Sequence, residues 1–262
     1  MRLSRRAVRN SGFAACVVLG AYVVMAGGGT VATDVGQAGV AVGDDVARAV
    51  ERVVYRQDVT RLGDVIVVEG APANELEVPE VAAMWEIVDA MWPASERDSL
   101  VQLSVIEEGE RGLVGVVHPS ATGGWILSLD SADIEDRRLI EETVVHELSH
   151  VVTLDRDAFR FGDSECDGVR IELGCAFSGT VLADFATTFW PDGVAVGPTG
   201  DFVNEYAQSA VHEDLAETFT SMVLGWTPAG DVIEAKVAMI EADPELSALA
   251  AELRSVLSLG VG

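Results

Sequence analysis

Apolar residues recur at helical spacing in some stretches of the chain and form short β-branched runs in others. Residues 44–61 place Val46, Ala49/Val50 and Val53/Val54 at helical intervals behind Asp44 or Asp45 as a cap, which predicts a helix. Residues 64–69 carry the run Val65-Ile66-Val67-Val68 and predict a strand. A second helix opens at Pro79, gathers Val81, Met84/Trp85, Val88 and Met91/Trp92 on one face, and stops at Pro93. Strands follow over 100–107, 113–118 and 123–129, the first two separated by a Gly/Glu-rich turn. From near Ser131 or Asp133 to about Leu154 a helix is expected, with Val145, Leu148 and Val152 as its core-facing stripe. Beyond it lie a polar loop over 155–174, a helix over 176–190 and a Gly/Pro loop over 191–201. Helices over 209–224 (ending at Gly225), 231–242 and 243–257 close the chain. The layout is α+β: a small mixed sheet in front, a mostly helical C-terminal half, and one helix joining them.

Charge changes this picture. The 262 residues carry a net charge of −26, and four of the 17 basic residues (Arg2, Arg5, Arg6, Arg9) fall in the first ten positions. The remainder is therefore more acidic still, which repels nucleic acid and anionic membranes and sets aside nucleic acid as a partner. The basic start is followed by an apolar stretch of small residues, with no acidic residue before Asp34. That pattern predicts a signal peptide or an uncleaved membrane anchor over 1–32, a Gly-rich linker over 33–43 and one folded domain over 44–262. The product is then secreted or held in the cell envelope, touching membrane only through its N-terminal segment. Export changes how the cysteines read. Cys166 and Cys175, the pair left outside the apolar start, are expected to form one disulfide, worth about 2.5 kcal/mol for so short a loop. Thiolate ligation of a metal is the rival reading, without a Cys-x-x-Cys to support it.

Candidate chemistry lies in the joining helix. His146-Glu147-Leu148-Ser149-His150 is a His-Glu-x-x-His motif in an aliphatic run without Gly or Pro. Four residues make slightly more than one turn, so both imidazoles share a face and can reach one Zn²⁺, with Glu147 close enough to act on a water there. A catalytic site needs a third ligand. The extended three-histidine pattern fails, because Thr153 and Arg156 stand at its glycine and histidine positions. Asp155 just past the helix is one carboxylate candidate, although acids there more often cap or face solvent. His118, next to Pro119, suits a surface or substrate-side role. Glu213 and Glu217 sit at i and i+4 with Leu215, Phe219 and Met222 free to face the core. They read either as an acidic solvent face or as a metal ligand, Glu213, with Glu217 accepting the free N–H of a ligand imidazole. His212 competes, but on a helix it points about 100° away from Glu213.

Tyr206, Glu213 and Glu217 downstream of His146–His150 resemble the Tyr-x6-Glu-x3-Glu element of gluzincin-type zinc metallopeptidases, most closely the group related to anthrax lethal factor and the Pro-Pro endopeptidases. The likeness covers about thirty residues, and the segment between Tyr206 and Glu213 departs from the group's pattern. It implies a zincin-like fold with one Zn²⁺ on His146, His150 and Glu213. It also implies Glu147 as catalytic base, Tyr206 as donor to the oxyanion, and a peptide or protein substrate cleaved by metal-activated water. In such folds an extended substrate pairs with an edge strand just before the motif helix. Residues 123–129 are placed for that role, or for an ordinary interior strand. A zincin-fold envelope binding protein without turnover is the alternative function.

Overall fold

The computed structural model describes residues 53–62, 65–69, 79–96, 98–106, 114–121, 123–130, 136–162, 165–193 and 197–259. The expected signal or anchor and the linker lie outside them. Five strands build a mixed sheet: β1 (Val53–Leu62), β2 (Val65–Glu69), β3 (Leu100–Ile106), β4 (Gly115–Pro119) and β5 (Trp125–Asp130), in the order β2-β1-β3-β5-β4. All pairings are antiparallel except β3 with β5. Helix α1 (Pro79–Met91) precedes β3, and α2 (Arg137–Thr153) follows β5. Three short strands, β6 (Phe159–Phe161), β7 (Val169–Ile171) and β8 (Gly174–Ala176), form a second sheet with β8 in the middle. Four helices complete the chain: α3 (Val181–Phe189), α4 (Val211–Leu224), α5 (Asp231–Ala242) and α6 (Pro244–Leu259). The α+β expectation holds.

Three expectations are corrected. The helix over 44–61 is not formed where the structure describes it, because Val53–Leu62 is a strand. Its backbone pairs on one side with β2 and on the other with β3, and that double ladder outweighs a helical period carried by β-branched valines. The polar loop over 155–174 contains β6 and β7, whose alternating Phe159/Phe161 and Val169/Ile171 line up on β8. The helix expected from residue 176 begins at Val181, since Ala176 belongs to β8 and Thr180 supplies the N-cap through Ala183 N–H. Residues 123–129 take the interior reading: β5 lies between β3 and β4, and β4 ends the sheet.

Helices α2 and α4 pack against each other at the centre. Asp136 caps α2 at the Leu139 N–H; Ser131 and Asp133 lie outside the described residues. Gly225, at φ 74°, closes α4 in the left-handed conformation that glycine adopts without strain. Every residue from Thr143 to Val151 on α2, and from Val211 to Val223 on α4, is buried. Neither helix is therefore amphipathic in the ordinary sense. Apolar side chains such as Val144, Leu148, Leu215 and Phe219 join the core cluster. The polar side chains have no solvent to turn to and take partners inside the fold: Thr143 and Thr220 donate to carbonyls of their own helices, while His146 meets Glu213 and Glu217 across the seam.

Two neighbours set how these helices sit. Gly115 lets β4 close on α2, since a Cβ there would stand 2.5 Å from Thr143 Cγ2. On the far side Lys236 of α5, 1% exposed, holds Asp214 of α4 with Nζ–Oδ2 at 2.7 Å. Its Nζ also donates to the Asp201 carbonyl and lies 4.0 Å from the centre of the Phe202 ring. Trp190 Nε1 donates to the same Asp214 carboxylate at 2.8 Å. Asp214 thus fixes the rotation of α4 about its axis, turning the adjacent Glu213 toward α2.

Candidate metal centre

Packing α4 on α2 gathers His146, His150 and Glu213, whose ligand atoms all lie within 4.8 Å of one another. The Nε2 atoms of His146 and His150 are 3.0 Å apart, and Glu213 Oε2 lies 3.0 Å from the first and 3.4 Å from the second. Donors at about 2.0–2.1 Å from a tetrahedral zinc are separated by about 3.3 Å, so the triangle matches one such ion. Two imidazole lone pairs and a carboxylate converging in a buried space repel unless a cation or proton lies between them. The residues fit a metal. Among the described residues this is the group of His, Cys, Asp and Glu able to hold one.

Burial and the facing charges pull the groups of this cluster in opposite directions. Burial opposes charge on His146, but Glu213 and Glu217 on its two sides raise its pKa well above the usual imidazole range. Burial lowers His150 to about 4, against the pull of Glu213. Glu213 is held well below the carboxylate range despite burial, through His150, His212 and the bonds to His146 and His150. These directions favour a proton on His146 beside an ionised Glu213, a charge that a metal cation bound there would replace.

Glu217 stands one turn beyond Glu213, with Oε1 2.8 Å from His146 Nδ1. That contact keeps the proton on Nδ1 and leaves Nε2 as the metal-facing lone pair. Glu147, fully buried, accepts the Val117 N–H of β4 at 2.9 Å through Oε2. The motif glutamate is thereby tied to the strand that ends the sheet. Tyr206 opens a short 3₁₀ turn, Tyr206–Gln208, just ahead of α4, and its half-buried ring is centred 6.1 Å from that of His146.

The rival ligands are placed elsewhere. Asp155 uses its carboxylate to accept the Asp157 N–H at 2.9 Å, an exposed turn beyond α2. His212 lies closer than its helical offset predicts. Its Nε2 is 3.3 Å from the other oxygen of Glu213, and its Nδ1 is 3.6 Å from Glu172 at the β7–β8 turn. It stands beside the triangle without joining it. His118 is half-buried on β4, where burial lowers its pKa. Cys166 and Cys175 form a disulfide with Cα atoms 5.4 Å apart, which removes the thiolate reading and staples the strand pair that carries Glu172. Such a bond is compatible with an extracytoplasmic location. Among the described residues no helix is long and apolar enough to cross a membrane.

Sequence reasoning missed three parts of the site. The Val117 N–H carries no side-chain signal, and the His212–Glu172 contact joins distant segments. Asn204, which donates from Nδ2 to Glu217 Oε2 at 2.5 Å, could have been noticed as an Asx-type cap two residues before Tyr206. No protein-family model, curated protein or solved structure matches this chain, so the site's own chemistry carries the functional reading.

Proposed function

We propose that this chain is a metal-dependent hydrolase, and within that class an exported zinc peptidase of gluzincin type with a zincin-like fold. The observation that carries the reading is the buried His146–His150–Glu213 triangle with Glu147 on the next position of the same helix. Two imidazoles and one carboxylate are a ligand set of catalytic zinc and leave one position open. Bound there, zinc would supply a Lewis acid that acidifies water and polarises a carbonyl oxygen.

The chain's own groups do the rest. Glu147, its carboxylate aimed by the Val117 N–H, takes a proton from the attacking water. The hydroxyl adds to the carbonyl carbon, the C–N bond breaks, and the same proton passes from Glu147 to the departing amine. Tyr206, by resemblance, donates its phenol O–H to the oxyanion. Glu217 keeps His146 in the tautomer that the metal requires. A peptide or protein substrate is the class that the gluzincin resemblance implies.

Glu147→Gln tests the mechanism. Zinc content should match the unsubstituted chain while hydrolysis of a peptide library falls by at least about a hundredfold, within the range of a general base. Unchanged hydrolysis would overturn it. A zinc-loaded wild-type chain that cleaves nothing in the library would favour the catalytically silent envelope protein instead.

A further inference from the structure

Asn204 lies outside the motif and touches no metal ligand, yet two bonds fix its amide. The Ala207 N–H donates to its Oδ1 at 2.9 Å, and its Nδ2 donates to Glu217 Oε2. The first bond decides the second. An amide turned over would set its NH₂ against a backbone N–H and its oxygen against a carboxylate, two repulsive contacts in place of two attractive ones. The amide donor is therefore held toward Glu217 by the backbone of the turn that begins at Tyr206.

Glu217 is thereby gripped at both oxygens. Oε2 takes the Asn204 amide and Oε1 faces His146 Nδ1. A buried carboxylate with one oxygen unsatisfied would turn toward other donors, and the ring of His146 would lose its orientation. We infer that Asn204 is a positioning residue for the metal centre, setting metal affinity through Glu217 and His146 from the same turn that carries Tyr206. This rests on the metal-binding part of the functional reading and adds a third layer to it.

The test separates this role from simple turn capping. Asn204→Asp keeps an oxygen for the Ala207 N–H but places a second carboxylate against Glu217. Asn204→Asp combined with Glu217→Gln exchanges donor and acceptor, so that the glutamine amide donates and its oxygen still faces His146. Zinc affinity is read on the full chains by competition with a chromophoric chelator, and the Co²⁺-substituted proteins are compared by visible absorption. Asn204→Asp should weaken zinc binding by about 10–100-fold, the cost typical of losing a residue that orients a ligand. The double variant should return to within about threefold of Glu217→Gln alone and regain its Co²⁺ spectrum, a non-additivity that capping does not produce.

Wild-type affinity in Asn204→Asp would overturn the proposal. So would a double variant weakened by the sum of the two single changes. A wild-type chain that binds neither zinc nor cobalt would instead overturn the metal centre itself, a different failure.

Discussion

Glu213→Gln addresses the one proposed ligand that does not come from the motif helix. The change preserves volume and hydrogen-bonding reach but removes the negative charge 3.0 and 3.4 Å from the two Nε2 atoms. Zinc bound at this site would stabilise the folded chain by about 2.7 kcal/mol when present at a hundred times its Kd. For a domain of roughly this size that raises Tm by about 5–10 °C, at 2–4 °C per kcal/mol. Loss of the anionic ligand should weaken binding by about a hundredfold, the upper end of what losing a residue that merely orients a ligand costs, because the cation then faces only neutral donors. The same zinc concentration then sits near Kd and contributes only about 0.4 kcal/mol, or about 1 °C. Thermal unfolding of both chains with zinc and with chelator gives the two shifts directly. Equal shifts would refute Glu213 as ligand and return the role to His212 or Asp155, which His212→Ala and Asp155→Ala then distinguish.

Two further expectations concern the scaffold. Replacing Cys166 and Cys175 by Ser frees a loop of sequence separation 9 and should lower stability by about 2.5 kcal/mol, seen as a Tm lower by about 5–10 °C; an unchanged Tm would contradict it. Lys236→Met leaves the buried Asp214 carboxylate without its cation and should cost about 3–5 kcal/mol in denaturant unfolding. Adding Asp214→Asn, which keeps an acceptor for Trp190 Nε1, should recover part of that loss, and no recovery would remove the charge from the explanation.

The legible parts of the fold were those whose signal is local. Pro79 and Pro93 bracket α1, Gly225 ends α4, and Asp231 begins α5, each through a backbone constraint written in one or two residues. Residues 53–61 misled for the same reason. Their valines satisfy a helical period, but β1 gains two ladders from strands that lie outside its own window. The one-sided stripe expected on α2 also fell short. Enclosure on all sides is a property of what packs around a helix, and Ser149 and Thr143 give no hint of it.

In the site, the i, i+4 spacing alone put His146 above His150, and it put Glu213 above Glu217, because helix geometry determines which side chains share a face. Two cysteines outside the apolar start sufficed to suggest the disulfide. Tertiary structure alone decided that these two faces meet, that His212 stands beside the triangle, and that Glu147 leans on β4 rather than on β5. It also supplied Asn204. Spacing along one helix is set by bond geometry, but the seam between two helices is set by what the rest of the chain leaves unburied. Here that pressure came from α1, β4, β5 and α6 around α2, and from the Lys236–Asp214 lock that turns α4.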